Sequence, residues 1–91
     1  MNAVGVIGVV VGHPNAKAFA VVERFLAANP GYRVRLTAWE FSAEHLLTQC
    51  TRHAPPVVLL DPALPGFDNR TIAKITELCA ARVIVLSLIH I

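Results

Sequence analysis

The sequence predicts a single α/β domain in which a parallel sheet carries helices on both faces. Three observations carry that prediction. Short β-branched apolar runs at Val4 to Val11, Val57 to Leu60 and Val83 to Leu86 suit strands buried in a parallel sheet. Amphipathic stretches with helical spacing stand between them, and Asn29-Pro30-Gly31 and Pro55-Pro56 break the chain at the junctions. The resulting order, β-α-β-α-β-α-β, gives a parallel sheet under the right-handed crossover rule.

Taken in order, the first strand is the continuous apolar run Val4 to Val11. Ala18, Val21, Val22, Phe25 and Leu26 recur at i, i+3, i+4, i+7 and i+8, which predicts a helix over Asn15 to Ala28. Tyr32 to Ala38 alternates apolar and polar residues, as a half-exposed edge strand does. Ser42 is placed to cap a helix running to about Arg52, with Phe41 and Leu46 as a staple across the cap. The third strand, Val57 to Leu60, ends at Asp61. Asp68 is placed to cap a third helix, with Phe67 and Ile72 as its staple and Ile72, Ile75 and Cys79 as its inner stripe. Ligands of such sheets bind at the carboxyl ends of the central strands, so residues 11–14, 61–66 and those after Leu86 are expected to meet.

Composition narrows the function classes. The chain has 91 residues, 55% hydrophobic and 15% charged, enough for one compact core and too few for a second domain. The formal charge is +2 and the eight Lys and Arg are scattered, so no direct nucleic-acid contact is expected. Cys50 and Cys79 stand 29 residues apart, without a CxxC or a His at metal-ligand spacing, and read as free buried thiols in a reducing compartment. The apolar run Ala3 to Val11 is too short to span a bilayer and no basic residues precede it, so no membrane association and a cytoplasmic location are expected. Gly5, Gly8 and Gly12 lack the G-x-G-x-x-G spacing, and two of them fall inside a strand. A small nucleotide-binding α/β enzyme therefore finds no phosphate-binding loop or catalytic pair here.

Chemistry concentrates at Asp61. A carboxylate at the end of a central strand, followed by a Pro-Gly loop, is placed to attack a phosphoryl group and become an acyl phosphate. Placement alone serves equally well a residue that merely bounds the strand. The surrounding residues add a resemblance. Asp61-Pro62-Ala63-Leu64-Pro65-Gly66-Phe67-Asp68, following VVLL, resembles the D-x-x-L-P-G-x-D pattern of response-regulator receiver domains, the CheY-like superfamily. Val11-Gly12-His13-Pro14, with a helix closing in Asn29-Pro30-Gly31-Tyr32, is similar to the D-D-H-P opening of receivers in LuxR/NarL-type DNA-binding regulators.

That resemblance implies a flavodoxin-like (CheY-like) three-layer sandwich, with four parallel strands in the order 2-1-3-4. It implies a receiver of a two-component phosphorelay that takes a phosphoryl group on Asp61 from a sensor histidine kinase and controls a DNA-binding output domain outside this chain. It implies no enzyme activity beyond, at most, self-catalysed phosphotransfer to Asp61. The resemblance implies Mg²⁺ held by Asp61 and the Ala63 backbone carbonyl, and a switch role for Ser87 at the end of the fourth strand. It also allows a homodimer in the full-length protein.

Two acids that complete the metal site in the family are Val11 and Gly12 here. Mg²⁺ prefers octahedral oxygen ligands, so the remaining site is weak, and imidazole is a poor substitute for a hard cation. His13 is therefore expected to position its loop at the helix N-terminus, and His45 and His53 to lie on the surface. If only the metal site was lost, acids at 11 and 12 would restore it. The alternative reading is a phosphorylation-independent pseudo-receiver, a protein-interaction module of the same fold.

The end of the chain stands apart. Leu86-Ser87-Leu88-Ile89-His90-Ile91 reads back as CTG TCT CTT ATA CAC ATC, the mosaic-end adapter of transposase-based sequencing libraries. Residues 1–85 are thus expected to be a partial receiver domain and residues 86–91 a non-native tail, which puts the nativeness of Ser87 in question. A receiver lacking its last strand and helices would expose a sheet edge and apolar surface, and would associate.

Overall fold

The computed structural model describes residues 5–86. They form β1 (Ile7–Gly12), α1 (Ala16–Ala28), β2 (Val34–Glu40), α2 (Ala43–His53), β3 (Val57–Leu60), α3 (Thr71–Leu78) and β4 (Arg82–Val85), with a 3-10 turn at Pro30–Tyr32. Every strand pair is parallel and the sheet order is β2-β1-β3-β4, so the α/β class and the order 2-1-3-4 are both found. The chain steps one way from β1 to β2 and the other way from β2 to β3 and from β3 to β4. Right-handed crossovers therefore put α1 on one face and α2 with α3 on the other.

The core lies on the α2 and α3 face. Val10, Val58 and Leu60 rise from the sheet to meet Ala43, Leu46 and Cys50 of α2, Ile75 of α3, Cys79 just beyond it, and Leu64 from the loop after β3. A fully buried aliphatic side chain of this kind contributes about 1.5–3 kcal/mol. The opposite face is thinner. α1 buries none of its residues, although Val9 and Val11 on that side of β1 are buried.

Local departures from the sequence reading have physical causes. β1 begins at Ile7 because Gly5 turns the chain at φ 95, a conformation suited to glycine; Val4 lies outside the described residues. On α1, Ala18, Val22 and Leu26 face inward, but Val21 and Phe25 are 59% and 50% exposed. The helix leans on β2, where Phe19 meets the Trp39 ring at 5.2 Å, and Phe25 instead pairs with Tyr32 at 5.4 Å. β2 is an edge strand as expected, yet it runs two residues later because the chain first completes the turn at Pro30–Tyr32. Its register slips opposite Val9 and Val10, passing over Thr37, so that Ala38 opposes Val10 and packs against the core.

α2 starts where Ser42 predicts, the Ser42 Oγ accepting the His45 N–H at 3.3 Å. α3 corrects its prediction. Its cap position is Arg70, and Asp68 stands two residues upstream, accepting the Arg70 N–H on Oδ1 at 2.8 Å. The buried stripe is Thr71, Ile75 and Cys79, at i, i+4 and i+8, while Ile72, expected in the stripe, is 37% exposed. Buried Thr71 is satisfied by Asp68: its Oγ1 accepts the Asp68 N–H at 2.9 Å. Among the described residues, no helix is long and apolar enough to cross a membrane.

Candidate functional site

Asp61 follows β3, and its N–H donates to the Gly12 carbonyl at 2.9 Å, which carries the β1–β3 ladder one residue further and delivers the carboxylate to the sheet's edge. The residue is 2% exposed. Its Oδ1 accepts the Ala63 N–H at 2.8 Å, and its Oδ2 lies 3.1 Å from Nε2 of His13. Both carboxylate oxygens are therefore engaged within the chain.

The loop after Asp61 is shaped by its own residues. The Leu64 N–H donates to the Asp61 carbonyl at 3.0 Å, and the Leu64 side chain is an anchor in the core. The Pro65 carbonyl accepts the Ala43 N–H at 2.8 Å, satisfying a donor of the first turn of α2 that no residue of the helix can reach. Gly66 takes φ 86, a left-handed conformation that suits glycine, with the Ala43 side chain beside it. Leu64, Pro65, Gly66 and Asp68 thus have structural roles. Asp61 alone among the acids of this segment faces the sheet edge with chemistry to offer.

His13 is held from three sides. Its N–H donates to the Glu40 carbonyl at 3.0 Å, its carbonyl accepts the Trp39 Nε1–H at 3.0 Å, and its Nδ1 accepts the Asn15 N–H at 3.0 Å. The ring also packs against the Trp39 ring at 5.6 Å. Asn15 in turn caps α1, its Oδ1 accepting the Lys17 N–H at 2.7 Å. Since Nδ1 receives a hydrogen bond, the ring proton resides on Nε2 and points at Asp61 Oδ2, a hydrogen bond strengthened by the carboxylate charge. The expected loop-positioning role at the α1 N-terminus is present. The pairing with Asp61 is what sequence reasoning missed, although both residues directly follow adjacent parallel strands.

The positions of the missing acids are filled. Val11 is buried, and a Cβ on Gly12 would lie 2.7 Å from Leu46 Cδ2 and 2.9 Å from Leu64 Cδ2. Mg²⁺ needs oxygen ligands and a carboxylate with free lone pairs. Here Asp61 is the only carboxylate of the expected set, and the Ala63 N–H already occupies one of its oxygens. His13 fits no better as a ligand, because a metal-bound imidazole donates from its other nitrogen and Nδ1 faces a donor. Among the described residues no three His, Cys, Asp or Glu are grouped to hold a metal ion. The residues present do not fit the implied cation.

The remaining candidates lie elsewhere. Ser87 is outside the described residues. His45 and His53 are exposed on α2, with His45 Nδ1 3.0 Å from Ser42 Oγ. Cys50 and Cys79 are free and buried, and the fold brings the two thiols together in the core. Burial foremost, and the Cys79 thiol beside it, push the Cys50 thiol up to about 12.

No family model matches the chain, and no curated protein matches it significantly. Among solved structures, it is similar to the crystal structure of the signal receiver domain of a modulated diguanylate cyclase from Desulfovibrio desulfuricans G20, described as an example of alternate folding. The TM-score is 0.72 at 18% identity, over 88% of this chain and 63% of that one. The chain spans less than two thirds of that structure's length, and at this identity the likeness is one of fold.

Proposed function

We propose that this chain, which has the fold of a receiver domain, is a signalling module that works through protein contacts and leaves Asp61 unphosphorylated, a pseudo-receiver. The observation that carries the reading is the state of Asp61: buried, with Oδ1 held by the Ala63 N–H and Oδ2 by His13. A phosphoryl acceptor needs an open lone pair and a cation to neutralise developing charge. Each oxygen of Asp61 already accepts one hydrogen bond, and with Val11 and Gly12 in place of the acids no second carboxylate is there to hold the cation. Beryllofluoride with Mg²⁺ mimics the acyl phosphate and tests this. At millimolar Mg²⁺ the amide signals of residues 61–64 should stay unmoved, and shifts confined to that loop would overturn the reading.

A second reading, phosphoryl transfer from a sensor histidine kinase to Asp61 in a cytoplasmic DNA-binding regulator, is favoured by one observation. Asp61 stands at the carboxyl edge of a central strand, in the loop that resembles the receiver pattern. In that case His13 must leave Oδ2 before the carboxylate can attack. Incubation with acetyl phosphate, followed by mass spectrometry for one added phosphoryl group on Asp61, separates the two readings.

A further inference from the structure

We propose that His13 is the built-in counter-group of Asp61, engaging with its Nε2–H the carboxylate oxygen that a divalent cation would need and closing the site to one. The proposal deepens the reading of a phosphorylation-independent module and rests on it for the identity of the site. It names what Asp61 binds instead of a metal: an imidazole N–H from the same chain.

Three features converge on this. The Nε2–Oδ2 separation of 3.1 Å belongs to a hydrogen bond, and the two side chains are only 17% and 3% exposed, so little water competes for either atom. The ring is oriented by contacts independent of Asp61: the Asn15 N–H on Nδ1, the Trp39 ring along its side and the Trp39 Nε1–H on its carbonyl. The proton on Nε2 is thus set by the neighbours, and a cation approaching Oδ2 must compete with a proton donor already fixed on that oxygen. Finally, an acid at residue 12 would first have to shift the buried tips of Leu46 and Leu64 that lie at its Cβ position. Residue 13 is therefore the position that decides whether Asp61 sees a metal, and His13 is a specificity-determining residue.

The test uses Mn²⁺ as the probe, read as paramagnetic broadening of the amides of residues 61–64, together with a long-range ¹H–¹⁵N spectrum of the imidazoles. Wild type should show His13 protonated on Nε2 and no broadening at millimolar Mn²⁺. His13→Gln, whose amide N–H replaces the Nε2–H, should remain silent. His13→Asp places a second carboxylate beside Asp61 and should broaden the loop at a concentration about tenfold lower than any effect on wild type. Adding Asp61→Asn should abolish that gain. A wild-type chain broadened as readily as His13→Asp, a folded His13→Asp that stays silent, or a His13 protonated on Nδ1 would each overturn the proposal. The tautomer measurement needs no variant and stands if His13→Asp fails to fold. Phosphorylation of wild-type Asp61 by acetyl phosphate in the presence of a chelator would end the pseudo-receiver reading while leaving the tautomer and Mn²⁺ results intact.

Discussion

Gly12 and Leu46 are packed so closely that a Cβ on residue 12 would stand 2.7 Å from Leu46 Cδ2. A carboxylate at this position would have to displace Leu46 or Leu64 from the core and would itself be buried. Gly12→Asp should therefore destabilise the fold by about 1–3 kcal/mol from overpacking, with a further cost for the buried charge. It should gain no Mg²⁺ affinity. Urea denaturation with and without Mg²⁺ checks both, and a stable Gly12→Asp that tightens in Mg²⁺ would show that acids alone can restore the metal site.

Most of the elements were legible because parallel strands write themselves as apolar runs and helices as a 3.6-residue stripe, whereas the strand order came from the resemblance of the Asp61 segment to receiver domains. Val57 to Leu60 and the Ser42 cap read off directly. The misreadings have two origins, one local and one tertiary. Asp68 has the residue type of a cap, but its side chain accepts the N–H two residues on, α3 starts only after Arg70, and Ile72 stands exposed. Asp61 at the strand end was visible in the sequence. The His13 partner was not, because its orientation depends on Asn15 and on Trp39, which lies 26 residues away.

The anchor at the start of α3 should be acid-sensitive. The Arg70 N–H on Asp68 is the largest influence and lowers that carboxyl below its ordinary 3.8; desolvation, next in size, opposes it, and Lys74, the Thr71 hydroxyl and the Arg70 charge add to the lowering. Because the folded value is the lower one, the contribution is complete above the ordinary value and is lost as pH falls through the folded one. The Arg70 amide shift, followed from about pH 6 to pH 2, should titrate below the ordinary carboxyl value. A midpoint at or above 3.8 would contradict it.

Cys50 should be chemically silent in the folded chain. Its thiol, pushed up to about 12 by burial and by Cys79, carries almost no thiolate at pH 8. Iodoacetamide should leave it unlabelled in native buffer and label it fully in denaturant. Since the folded value is the higher one, its contribution to stability is full below pH 9.0 and declines between there and about 12. Stoichiometric labelling of native protein at pH 8 would refute this.

The β4 edge should drive association. β4 pairs with β3 on one side, no described strand lies beyond it, and Ile84 and Val85 are 48% and 42% exposed. Light scattering behind a sizing column should show a mass that rises with concentration, and Ile84→Lys should lower it. A concentration-independent monomer would rule out the edge as a sticky surface.

Among the α-helices of the described residues, α1 is the one without a buried residue, the kind of sparse packing that favours local opening. Its first turn begins at Asn15, whose N–H holds the imidazole that holds Asp61. The most weakly seated helix is thus wired to the least accessible carboxylate. A partner that displaced α1 would move Asn15, and with it the hydrogen bond that aims the His13 ring at Asp61.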